Sequence, residues 1–338
     1  MNTLHLTNSI SDIQTAGDLL KAGELVAIPT ETVYGLAANA LDADAVAGIF
    51  AAKERPADNP LIVHIDDLDT VYTLCAEVPD TAKALMDAFW PGPLTIILPR
   101  ASVVPDVVSA GLPTVAVRMP SHETARAIIR AAGVPLAAPS ANRSGSPSPT
   151  TASRVAADMD GRIAAVVDGG DCEVGVESTV ISLCGDVPML LRPGGVTPSE
   201  LEAVIGPVAI AESITRPLAE GETVASPGMK YKHYAPHAQV TIVRGDAAAF
   251  AAFVNAHAED GVMAMAFDGE TDALTVPFVT YGARQDSDAQ ARELFEALRL
   301  ADDRGATVLY AVCPSVEGMG LAVYNRLLRA AAFRVVNA

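Results

Sequence analysis

Residues 29–36 read PTETVYGL, directly after the apolar run LVAI at 25–28. That run has the composition of a short buried strand. A strand ordinarily passes to a helix through one or two turn residues. Here it enters Pro29, then two threonines flanking Glu31, then Tyr34 and Gly35. Hydroxyls, a carboxylate and a phenol crowd the carboxyl end of a strand, where open α/β sheets bind ligands. The stretch points to an α/β fold and to something held at its edge.

Outward from it, strand and helix patterns alternate. Asp42 is a suitable N-cap for a helix over ADAVAGIFAAK. LIVHI (61–65), LTIIL (94–98) and TVAVRM (114–119) read as strands, DTAKALMDAF (80–89) and HETARAIIRAA (122–132) as helices. VPLAAP, AAVVD, STVISL and MLLR supply further strands, and TPSE at 197–200 is a capping box opening LEAVIG. From 206 to 237 the periodicity lapses into Gly, Pro and polar residues, which predicts a linker or a functional loop. AQVTIVR, VMAMAF and TVLYAV then alternate with helical patterns near 246–257, 288–300 and 320–333, a second, smaller α/β unit. The expected organisation is a first domain at 1–205, a linker or lid at 206–237 and a C-terminal domain at 238–338.

The 338 residues are half apolar and 19% charged, enough for sizeable cores. No apolar run approaches the ~18 residues that span a bilayer, and the first residues lack the basic start and apolar core of a signal peptide. A cytoplasmic protein with no membrane partner is expected. Four scattered cysteines without a C-x-x-C pair read as reduced thiols. His233 and His237 have a metal-like separation, but Pro236 between them spoils a helical pair, and no metal site is assigned. The net charge is −18; residues 1–205 carry 12 basic and 25 acidic side chains, hence −13. Such a surface repels polyphosphate backbones, so weak or no direct binding of nucleic acid is expected. An anionic ligand has to be gathered by a basic cluster inside a cleft.

Polar clusters at strand ends supply one. KERPADNPLIVH (53–64) carries Lys53, Arg55, Asn59 and His64; APSANRSGSPSPT (138–150) carries Ser140, Asn142 and Ser148. Arg118 ends TVAVR and Arg192 ends LLR. Each has a plainer reading: Pro, Ser and Gly make turns, cations after a helix complement its dipole, and a histidine in an apolar strand is commonly a satisfied core residue. Arg118 resists this, since a guanidinium among valines must find an anion. Lys53, Arg55 and Arg192 suit phosphates; Ser140, Asn142 and Ser148 suit phosphate or ribose oxygens. Arg118 suits a carboxylate, with Thr32, His64 and Ser178 placed to position a small polar molecule. Nucleotide chemistry on a small acid follows, although neither G-x-x-x-x-G-K-[ST] nor G-x-G-x-x-G is present.

PTETVYGL, KERPADNPLIVH, WPGPLT, TVAVRMP, PSANRSG, GVESTV and LLRPGG, in this order, resemble the YrdC-like L-threonylcarbamoyladenylate synthases. SPGMKYKHYAP (226–236) resembles the linker of their long, two-domain form; the second unit matches less sharply, apart from GMGLAVYNR (318–326). The resemblance implies a YrdC-like twisted mixed-sheet domain with a large concave cleft, followed by a smaller Rossmann-like α/β domain. It implies a nucleotidyltransferase that makes L-threonylcarbamoyl-AMP from L-threonine, bicarbonate and ATP and releases pyrophosphate, the first step of threonylcarbamoyladenosine modification of tRNA. The family's catalytic tetrad falls on Lys53, Arg55, Ser140 and Asn142. Its threonine site falls on Thr32, His64, Arg118, Ala138 and Ser178. Its ATP contacts fall on Arg55, Asn59, Thr114, Ser140, Ser148 and Arg192, with Tyr231 from the linker. Mg²⁺ is expected on the phosphates, and the product is expected to pass to a tRNA threonylcarbamoyl-transfer complex. Tyr34 is expected to wall the threonine pocket, and the linker to close over nucleotide. The alternatives are an RNA-binding or nucleotide-sensing module without turnover, or the same catalysis on a different carbamoyl acceptor.

Overall fold

The computed structural model describes residues 2–217 and 234–338. Among these, the first sheet has eleven strands: β1 (Leu4–Leu6), β2 (Val26–Ile28), β3 (Gly35–Asn39), β4 (Ile62–His64), β5 (Leu94–Pro99), β6 (Thr114–Arg118), β7 (Leu136–Ala137), β8 (Ala165–Val167), β9 (Thr179–Ser182), β10 (Met189–Arg192) and β11 (Ala209–Ile210). They lie in the order β1-β8-β2-β3-β7-β4-β6-β5-β9-β10-β11. Pairing is mixed. β4 and β6 run parallel, while β3, β7 and β4 run antiparallel to their neighbours in turn.

The opening stretch does not lead into a helix. β2 and β3 pair antiparallel, Ile28 opposite Gly35, so residues 29–34 are the loop of a hairpin. Gly35, Leu36 and Ala37, which carry no alternation of their own, are the return strand. The helix predicted from Asp42 follows as Ala43–Lys53, with the Asp42 carboxylate accepting from the Asp44 and Ala45 amides. The helix at Asp80–Phe89 and the capping box at Thr197, with Pro198 and Glu200, form as the sequence predicts. Helices Ile10–Lys21 and Ala152–Met159 have no counterpart in the sequence reading. Within the described residues that follow 206, β11 extends the sheet edge and a 3-10 turn occupies Glu212–Ile214.

The second sheet holds β12 (Gln239–Arg244), β13 (Val262–Ala266), β14 (Phe278–Thr280), β15 (Val308–Val312) and β16 (Val335–Asn337) in the order β14-β13-β15-β12-β16. Every pair is parallel, and β13, for example, is buried throughout, as expected of a sheet covered on both faces. Two of its helices, α1 (Ser287–Asp303) and α2 (Met319–Ala330), pack together and meet the first unit. The cores are largely separate, but Val33 and Val176 of the first unit pack into the second core with Tyr234. Gly175 shows how close the approach is. A Cβ there would lie 2.3 Å from the Arg292 Cα, and its φ of +78° favours glycine in any case.

Candidate functional site

The hairpin loop builds one wall of a cleft. The Thr30 hydroxyl donates to the Val33 carbonyl (2.6 Å) and bonds the Thr32 hydroxyl (2.8 Å), folding the loop on itself. Backbone bonds then tie it to the PSAN segment: Tyr34 N to Pro149 O, Leu36 N to Pro139 O and Ala141 N to Tyr34 O, each 2.8–2.9 Å. Two segments a hundred residues apart thereby become one surface. The Tyr34 side chain is not part of that wall. Its hydroxyl donates to Gly170 O (2.8 Å) and accepts from Gly169 N (3.2 Å), bracing a loop behind the cleft.

The cleft encloses roughly 650 Å³, its mouth included. Of the threonine-site residues named from sequence, Thr32, His64, Arg118, Ala138 and Ser178 all line it. Arg55, Ser140, Asn142 and Arg192 line the same space, together with Tyr234. The parallel register of β4 and β6 sets His64 beside Arg118. Burial, reinforced by the Arg118 charge, holds the imidazole at about 3, so it is neutral at physiological pH. Its Nδ1 lies 3.2 Å from Ile62 O.

Arg118 has found an anion inside the chain. Its Nη2 sits 2.6 Å from Glu31 Oε1, both side chains being almost wholly buried. The contact is a buried ion pair. Nη1 donates to Thr32 Oγ1 (2.9 Å) and Nε to Gly92 O (3.3 Å). Burial opposes the Glu31 charge, yet the guanidinium outweighs it and the carboxyl stays below its ordinary range. Five N–H donors on an arginine leave some for a ligand carboxylate. On the opposite wall, Arg192 donates through Nε to Ser178 O and through Nη2 to Ser178 Oγ, each 3.0 Å. Burial lowers its pKa to about 10, still charged at neutral pH. Gly194 permits this: a Cβ there would lie 2.3 Å from Thr179 N, so the chain after Arg192 lies directly on the 177–179 backbone.

Four sequence-named residues stand beside the cleft rather than on its surface. Lys53 is buried behind the PSAN loop, where Nζ donates to Ser140 O, Asn142 O and Asn142 Oδ1. Burial and then Arg55 depress its pKa strongly, although three acceptors fit an ammonium. It shapes the loop that presents Ser140, whose hydroxyl donates to Asn142 Oδ1 (2.6 Å). Ser148 donates to Glu177 Oε1 (2.5 Å), and Thr114 opens β6, two residues before Ala116 pairs with Ile62. Asn59 is fully buried, and among the described residues neither atom of its amide has a partner. An unmet buried amide next to the cleft is costly unless a ligand completes it. Tyr231 lies outside the described residues, as do Lys230, Lys232 and His233.

The sequence reading gave no role to Glu177, which lines the cleft. Its signal is a lone acid directly before the strand pattern STVISL, a weaker form of the argument that singled out Arg118. Among the described residues no three His, Cys, Asp or Glu gather as metal ligands, and no helix is long and apolar enough to cross a membrane.

Two family models match the chain: one described as telomere recombination over residues 18–194, the other as the C-terminal domain of threonylcarbamoyl-AMP synthase over 196–332. A threonylcarbamoyl-AMP synthase of Bacillus subtilis is 45% identical over 99% of this chain and 97% of its own. One of Pyrococcus abyssi is 46% identical over 96% and 95%. The crystal structure of P. abyssi Sua5 complexed with L-threonine superposes with a TM-score of 0.93 over all of both chains, at 43% identity. With both units matched and the cleft assembled from the motifs that first suggested it, the chain belongs to the threonylcarbamoyl-AMP synthase family, in its two-domain form.

Proposed function

We infer that this chain is the nucleotidyltransferase that joins L-threonine, bicarbonate and ATP into L-threonylcarbamoyl-AMP and releases pyrophosphate. This is the first step of threonylcarbamoyladenosine formation on tRNA. The observation that carries the reading is a shared cavity: the carboxylate-type subsite at Arg118 and the phosphate-type cations Arg55 and Arg192 line one space. An RNA-binding or nucleotide-sensing module would not require both.

In this reading Arg118 and Thr32 hold the threonine carboxylate and hydroxyl region, with Ala138 and Ser178 completing the seat. His64, being neutral, is a hydrogen-bonding wall and no competing cation. The threonine amine attacks bicarbonate with loss of water, or CO₂ derived from it with loss of a proton from the nitrogen, to give a carbamate. A carbamate oxygen then attacks the α-phosphorus of ATP in line, and the bond to the β-phosphate oxygen breaks to expel pyrophosphate. Arg55, Arg192, Ser140 and Asn142 steady the charge that builds on the phosphates. Lys53 contributes by setting the loop beneath them, and Asn59, Ser148 and Thr114 complete the nucleotide side. No covalent enzyme intermediate is needed; alignment suffices. Mg²⁺ accompanies the triphosphate and adds charge neutralisation when bound. Glu31 and Glu177 are committed to arginines, so no protein ligand is assigned to it. We assign residues 1–205 to this chemistry, 206–237 to a linker and 238–338 to the supporting domain. The product passes to a transfer complex in the cytoplasm.

The purified chain with ATP, L-threonine and bicarbonate should release pyrophosphate only when all three are supplied. Release that ignores threonine would overturn the assignment.

A further inference from the structure

One arginine of the second unit reaches into the first without touching the cleft. Arg326, on α2, is fully buried. Its Nε donates to Glu177 Oε2 (2.8 Å), its Nη2 to Glu177 O (3.1 Å), and its Nη1 to Pro193 O (2.7 Å) and Asn325 Oδ1 (3.0 Å). Glu177 and Ser178 are adjacent, and Pro193 follows Arg192, so one guanidinium grips both strand ends of the cation wall. The other oxygen of Glu177 accepts from Ser148. The same guanidinium lies 5.9 Å over the ring of Tyr234, which also lines the cleft.

We propose that Arg326 is a positioning residue for the nucleotide side of the reaction, acting through Glu177 on Ser148 and Arg192. The proposal rests on the function inferred above and extends it to the second unit. With Arg326 in place, both oxygens of Glu177 are committed, one to the arginine and one to Ser148. Arg192 bonds Ser178 and lines the cavity. Without Arg326 a buried carboxylate is left uncompensated. The cation then nearest in influence is Arg192, which is drawn toward Glu177 and away from phosphate. Of the threonine seat, Arg118 and Thr32 are held by Glu31 and Gly92 instead, and Ser178 is the member that shares this wall.

The test compares Arg326→Gln, Arg326→Lys and Arg326→Gln/Glu177→Gln with the wild-type full chain. Readouts are thermal melting, ATP affinity by calorimetry, and the KM values for ATP and threonine. Arg326→Gln should weaken ATP affinity and raise its KM about tenfold or more, with a several-fold smaller rise in the threonine KM, transmitted through Ser178 alone. Glu177→Gln added to it should restore part of the ATP affinity, because the stranded charge is gone. Arg326→Lys keeps the charge but loses the fork to two carbonyls, and should weaken ATP binding about threefold. Should Arg326→Gln fail to fold, Arg326→Lys decides. Wild-type ATP affinity in a folded variant, equal losses for ATP and threonine, or no recovery in the double variant overturns the proposal. Calorimetry needs no turnover, so a chain that binds ATP through Arg326 yet ignores threonine would sink the enzymatic reading alone.

Discussion

Arg118 shows how far a single residue can be read and where reading stops. That a guanidinium among valines needs an anion is sequence logic; that Glu31, in the very stretch that suggested the site, is that anion required coordinates. The pair sets two separable effects. Arg118→Ala should raise the threonine KM by about 10–100-fold, the worth of a charged hydrogen bond. It should also cost about 3–5 kcal/mol of stability, because Glu31 is left buried and unpaired. Urea denaturation measures the second, and Glu31→Gln in the same background should recover much of it without restoring threonine affinity. His64 gives a pH prediction with a definite sign. Its folded pKa, about 3, lies below its ordinary 6.5, so between these values the unfolded chain binds more protons. Stability is therefore full above about pH 6.5 and falls as pH drops toward 3. His64→Gln should flatten the decline in urea midpoint between about pH 7 and 5, a range above that where the carboxyls titrate.

At the scale of elements, the sequence revealed more about helices than about connections. Helix 80–89 and the capping box at Thr197 carry their signals locally, in apolar spacing and in caps. The β2–β3 hairpin does not, because its return strand is short and uniformly buried, and nothing in GLAAN distinguishes it from a turn. Helix 10–21, with Ser9 as its cap, was legible in principle but its polar composition hides the apolar stripe. The site residues were largely named from motifs. What sequence could not supply was which of them face the cavity: Lys53 and Tyr34 turn out to brace loops, a distinction made by distant packing. Gly194 matters at this scale. Gly194→Ala cannot be absorbed by a flexible side chain, since the obstructing atoms belong to the 177–179 backbone. It should lift the end of β10, displace Arg192 and raise the ATP KM by about tenfold, measured in the pyrophosphate assay.

For the molecule as a whole, charge and interface are the governing quantities. With a net charge of −18, tRNA should bind no tighter than about 10 µM at about 150 mM salt, as a gel-shift titration would read. The units are joined by directed contacts as well as apolar ones. Arg299 pairs with Asp158 and donates to Pro147 O (2.6 Å), and Arg154 reaches Glu296 and Asp303. None of this could be foreseen from either half read alone, because each partner is an ordinary surface charge until the other unit arrives. Val33 gives the joint a final consequence. It is rooted among the apolar residues of the C-terminal body, while its immediate neighbour, Thr32, lines the cleft. One peptide bond separates foundation from cleft wall, so the seating of that body bears directly on the shape of the lining. A chimaera carrying a relative's C-terminal half should therefore shift the threonine KM, read in the pyrophosphate assay, even with every cleft residue unchanged.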